Sequence, residues 1–213
     1  MVLCTSLALV LVAAASDESS KIAGDEALKM LMDGNARFVS GSTTHPNQSQ
    51  ERLAEVVSAQ HPFAIVVGCS DSRIPPEIVF DQGVGDIFVI RTAGEVMDNA
   101  TLGSIEYGVE HLNISLVMVL GHDSCGAVKA AVVGGEAPGH IAYLIEAIDP
   151  AVKSCEANDE EDLLNCSIDA NTAMVVEQLK STEPILSEYV DEGKLQVVGA
   201  RYHLDDGSVE LLE

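Results

Sequence analysis

At 213 residues, with 47% apolar side chains, the chain is long enough to bury a core and short enough to form one domain. Its 34 acidic residues against 11 basic ones leave a formal net charge of −23. Such a surface repels phosphate backbones and argues against nucleic acid as a partner. The charge serves solubility, and a salty habitat would also favour it.

Residues 1–16 are uncharged and largely apolar, and polarity returns at Asp17. The stretch resembles the hydrophobic region and cleavage site of a secretory signal, although no Lys or Arg precedes it. The expectation is a signal peptide over 1–16 and a single domain over 17–213, exported to the periplasm or outside the cell. A start codon read too far upstream would give the same stretch in a cytoplasmic protein. The run is too short for a comfortable membrane span, so no stable span is expected once it is removed.

The first predicted helix covers residues 22–39, capped by Asp25, with Leu28, Leu31, Met32 and Phe38 on its apolar face. A polar loop over 41–50 and a short helix over 51–59 follow. Phe63-Ala64-Ile65-Val66-Val67-Gly68 reads as a buried strand of a parallel sheet, being short, β-branched and uncharged. Pro75 and Pro76 open a helical segment. Strands are predicted over 86–91, 115–120 and 195–202, and helices over 99–111, 125–133, 141–148, 170–180 and 184–190. Asp205-Asp206-Gly207 is a hairpin signal before a short edge strand at Val209-Glu210-Leu211-Leu212. The alternation predicts a single α/β domain: a mainly parallel sheet of about four strands, a C-terminal edge strand, flanking helices and an N-terminal helical arm.

Two of these strands end alike. The first runs into Cys69-Ser70-Asp71-Ser72-Arg73, the third into Gly121-His122-Asp123-Ser124-Cys125. Open α/β sheets bind ligands at the carboxyl ends of their strands. Cys69, His122 and Cys125 together form a soft S/N/S set that suits zinc. A structural zinc site would close with four Cys or His ligands. Here three are evident, and the candidate fourth is Asp71 or water; an open fourth position is what a catalytic zinc needs. Of the remaining cysteines, Cys4 lies in the leader. Cys155 and Cys166 flank an acidic loop and would pair as a disulfide in an oxidising compartment; otherwise they are two small residues on adjacent helices.

These two motifs, in this order and separation, resemble those of the β-class carbonic anhydrases. Gly34-Asn35-Ala36-Arg37-Phe38, residues 86–94 and Gly103-Ser104-Ile105-Glu106-Tyr107 also resemble that family, so the likeness spans most of residues 25–203. The resemblance implies zinc-dependent, reversible hydration of carbon dioxide to bicarbonate and a proton, with one Zn2+ per chain on Cys69, His122 and Cys125. Hydroxide generated at the metal would attack CO2. It implies an Asp71–Arg73 dyad that keeps the fourth position open, a substrate-binding amide at Gln60, and cleft positions at Phe88 and Tyr107, partly from a neighbouring subunit. Ala93 stands where many relatives carry Val and gives a roomier wall. The branch with an allosteric bicarbonate pocket has a Trp where this chain has Val66, so the chain resembles the other branch. A homodimer or dimer of dimers is expected. His61 and His140 are candidates for the proton shuttle. The same motifs would serve a carbonyl sulfide or carbon disulfide hydrolase, and a non-catalytic zinc protein is the rival from another class.

Overall fold

A computed structural model describes residues 22–158 and 160–212. The expected leader and Cys4 lie outside these residues. The central sheet holds β1 (Ala64–Cys69), β2 (Ile87–Thr92), β3 (Leu116–His122), β4 (Gln196–Tyr202) and β5 (Val209–Leu211), in the order β2-β1-β3-β4-β5. The first four strands are mutually parallel, and β5 returns antiparallel beside β4, as the hairpin signal requires.

Strand alternation divides the core between the two faces of the sheet. Ile65, Val67, Val117 and Val119 point to one face. There they meet Ile105 and Val109 of α4 (Asn99–His111), Val175, Val176 and Leu179 of α7 (Leu163–Ser181), and Leu186 of α8 (Ile185–Asp191). Val66, Met118 and Leu120 point to the other face. They pack with Leu31 of α1 (Gly24–Val39), Val128 of α5 (Gly126–Val133), and Ile148 and Val152 of α6 (Ile141–Ala157). Burial on both faces is why β1 and β3 read as unbroken apolar runs.

The Gly34–Phe38 stretch fastens α1 to this core. A Cβ on Gly34 would lie 1.8 Å from the Phe80 carbonyl oxygen, so only glycine allows the approach. Buried Asn35 donates to the carbonyls of Val79 (3.2 Å) and Gly207 (2.9 Å) and accepts from Val209 N–H (2.9 Å). Arg37 Nε donates to Asp81 at 2.6 Å.

Several boundaries differ from the sequence reading. The α1 N-cap is Ala23, and Asp25 lies inside the first turn without capping it. A short α2 (Gln50–Glu55) stops before the predicted end, and α3 (Pro76–Val79) is a single turn. Helix α6 runs on through Pro150 to Ala157. Pro150 is exposed, so the intrahelical bond it forfeits falls on the solvent side. Helix α7 begins seven residues early because Asp162 caps it, accepting from Asn165 N–H at 3.1 Å. Among the described residues, no helix is long and apolar enough to cross a membrane.

Candidate zinc centre

Parallel pairing of β1 with β3 puts Cys69 and His122 at neighbouring strand ends. After His122 the chain turns through Asp123 and Ser124, the latter at φ 55°, and Cys125 becomes the N-cap of α5. The ligand atoms of Cys69, His122 and Cys125 all lie within 4.8 Å of one another, and the two sulfurs are 4.0 Å apart. Two Zn–S bonds of about 2.3 Å at a tetrahedral angle would put them about 3.8 Å apart. All three residues are buried, His122 completely.

The imidazole shows how the donor set is oriented. His122 Nδ1 lies 2.9 Å from the carbonyl oxygen of Asp123, which can only accept, so Nδ1 carries the proton. His122 Nε2 is then a lone-pair acceptor, buried and without a hydrogen-bond partner. A metal ion held together with the two sulfurs would give it one. Cys69 Sγ accepts from Gly94 N–H at 3.3 Å. Sharing a proton with Cys125 separates the two thiols: the hydrogen bond from Cys125 holds Cys69 low, and donating it holds Cys125 high. These residues fit zinc.

Asp71 and Arg73 lock together beside the cluster. Arg73 Nε and backbone N–H donate to Asp71 Oδ1 at 2.9 and 3.0 Å, and Nη2 donates to Oδ2 at 2.7 Å. The Arg73 side-chain hydrogen bonds hold the Asp71 carboxyl well below the usual carboxylate range. Both Asp71 oxygens are thereby engaged by Arg73.

The other positions named from sequence are dispersed. Ala93 begins the 3-10 turn Ala93–Glu95 just after Thr92, the residue paired with Cys69. Gln60 and His61 are exposed and precede the amino end of β1, whereas Cys69 closes its carboxyl end. About 17 Å of strand lies between Ala64 and Cys69, at about 3.3 Å per residue. Phe88 pairs with Ile65, also toward the amino end, and packs on the α4 side. Tyr107 is 46% exposed on α4 and packs, with its ring tilted, against His111. His140 is exposed at the N-cap of α6. Within one chain, then, the structure assembles the cluster, Asp71, Arg73 and Ala93, and leaves Gln60 and Phe88 at the far end of the sheet. Cys155 of α6 and Cys166 of α7 are joined, with Cα atoms 6.0 Å apart.

Three residues at the site escaped the sequence reading. Arg91 of β2 donates from Nε to the Cys69 carbonyl (2.7 Å) and from Nη2 to the Asp71 carbonyl (2.5 Å), fixing the loop that carries both. Glu95 is buried at φ 53°, and burial above all, with the Cys69 thiolate second, pushes its carboxyl well above the ordinary value. Arg201 of β4 donates from Nε to Asp123 Oδ1 at 2.7 Å. The usable signal was a charge inside or just after an otherwise apolar strand.

Comparison with known proteins agrees with this geometry. The carbonic anhydrase family profile matches residues 64–209, more than half of the chain. A carbonic anhydrase of Mycolicibacterium smegmatis is 46% identical over 192 residues, covering 87% of this chain and 91% of the relative. Carbonic anhydrase 2 of Mycobacterium tuberculosis is 43% identical over 189 residues, with the same two coverages. The solved β-carbonic anhydrase of Coccomyxa superposes with a TM-score of 0.70 at 25% identity, covering 87% of this chain and 84% of its own. By sequence and by fold, this chain belongs to the carbonic anhydrase family, in its β class.

Proposed function

We propose that this chain hydrates carbon dioxide reversibly to bicarbonate and a proton at one zinc ion per chain, held by Cys69, His122 and Cys125. The observation that carries the reading is the buried, unpartnered Nε2 of His122, in a Cys-His-Cys set whose ligand atoms lie within 4.8 Å of one another. When bound, zinc supplies the Lewis acid that lowers the pKa of a water from 15.7 to roughly 7, so a nucleophile is at hand near neutral pH. The Asp123 carbonyl keeps the proton on His122 Nδ1, leaving Nε2 as the ligand atom. The Arg73 fork keeps Asp71 ionised and engages both of its oxygens, so that Asp71 does not serve as a fourth ligand. With a lone pair left on its oxygens, Asp71 would accept a hydrogen bond from the nucleophile and orient it.

Gln60, placed at the far end of its own sheet, reaches a cleft from a second copy of the chain, as do Phe88 and Tyr107. A homodimer, alone or paired again, is the smallest assembly that completes the site on this reading. The apolar leader over 1–16 and the paired Cys155 and Cys166 support export to an oxidising compartment.

The test is isotope exchange between carbon dioxide and water on protein of measured zinc content. Exchange should rise in proportion to zinc. Asp71→Asn should keep its zinc and lose most of the rate, on the order of a hundredfold, as for a group acting in general acid–base chemistry. Zinc-loaded wild type without exchange, or Asp71→Asn at full rate, would defeat the mechanism. Turnover of carbonyl sulfide or carbon disulfide above that of carbon dioxide would reassign the substrate.

A further inference from the structure

We propose that Arg201 is a positioning residue for the zinc ligands, fastening the turn that carries His122 and Cys125 to the disulfide-anchored start of α7. This rests on the zinc reading above. The turn has few internal restraints of its own. Asp123 N–H donates to the Tyr202 carbonyl at 3.1 Å, and the Asp123 carbonyl accepts a hydrogen bond from His122 Nδ1–H, so the angle of the imidazole follows how Asp123 is held. The Asp123 side chain supplies that hold. Arg201 Nε and Nη2 lie 2.7 and 2.6 Å from its Oδ1, and Leu204 N–H (3.2 Å) and His203 Nδ1 (3.3 Å) meet its Oδ2.

Arg201 is itself fixed from the other side. Its Nη1 lies 3.1 Å from both oxygens of Asp169, and its Nη2 donates to Asn165 Oδ1. Asn165 and Asp169 belong to the first turns of α7 and bracket Cys166, which is bonded to Cys155 of α6. One guanidinium, 11% exposed, thus joins the ligand turn, β4 and a covalently tethered helix end. A rigid fork with five donors can hold two carboxylates and an amide at once; a lysine cannot. Groups that orient a metal's ligands typically account for about 10- to 100-fold in metal affinity.

The experiment compares full-length, zinc-loaded wild type with Arg201→Met and Arg201→Lys. Zinc release to excess colorimetric chelator is timed, and the thiolate-to-metal absorption of the cobalt(II) forms is recorded. Arg201→Met should release zinc about tenfold faster or more, with shifted cobalt bands, and Arg201→Lys should fall between. A merely structural Arg201 would lower the melting temperature of the zinc-free protein while leaving release and spectrum as in wild type, and that result overturns the inference. If Arg201→Met does not fold, Asp169→Asn loosens the α7 anchor alone and should still speed release severalfold; unchanged release there is equally decisive against it. Wild type that takes up no zinc removes the zinc reading and this inference together, whereas zinc-replete wild type with indifferent variants removes only the inference.

Discussion

Asp81 shows how single side chains decide where this chain's backbone goes. Its buried carboxylate accepts from Arg37 Nε at 2.6 Å, from Thr44 N–H and hydroxyl at 3.0 Å each, and from His45 N–H at 2.9 Å. Burial alone would raise its pKa; the hydrogen bonds from Thr44, Arg37 and His45 outweigh that and leave it below the usual carboxylate range. A depressed folded-state value stabilises the fold above the unfolded carboxyl pKa of about 3.9, and the contribution is lost as pH falls toward the folded value. Asp81→Asn should therefore cost about 1.5–3 kcal/mol at pH 7 by denaturant unfolding, the worth of hydrogen bonds to a charged group. The gap to wild type should narrow below pH 4. A gap that is constant from pH 7 to pH 3 would show that charge plays no part. At this scale the sequence was only half legible. Cys69, His122 and Cys125 announced themselves because the first two end apolar strands and the third follows within three residues. The partners of Arg91, Glu95 and Arg201 lie 20 to 78 positions away along the chain, so no local pattern could reveal them.

Elements were legible wherever hydrophobic period and length agreed, as in β1, β3 and α4, and misjudged where a single residue overrode the pattern. The helix expected over 141–148 runs on through Pro150 to Ala157, and the acidic loop hid the Asp162 cap that starts α7 early. The hairpin of α6 and α7 is where stability and location meet. Cys155 and Cys166, 11 positions apart, close a short loop that carries repelling acidic residues. Chain entropy assigns a bridge of this size about 3 kcal/mol. The Cys155→Ala/Cys166→Ala double variant should lose about 2–3 kcal/mol in denaturant unfolding without losing zinc. An unchanged midpoint would show that the bridge does not constrain the unfolded chain. Four free thiols on denatured, zinc-stripped protein from its native compartment would show that the bridge does not form there.

The whole molecule leaves β2 at one edge of the sheet and puts Gln60 and Phe88 at the opposite end of the sheet from its own cluster. The sequence displayed Gln60 but not its distance from Cys69, because only the fold sets that. If a second copy brings these residues to the cleft, specific activity should fall on dilution in step with the dimer fraction seen by sedimentation. A monomer with undiminished activity would contradict the shared cleft.

All of this depends on the ligand set. X-ray absorption at the zinc edge of the purified protein reads that set directly. The structure predicts two sulfurs at about 2.3 Å, one imidazole nitrogen at about 2.0 Å, and one further light atom in the open fourth position. A third sulfur or a second imidazole at the metal, closing the site, would contradict a catalytic centre built on Cys69, His122 and Cys125.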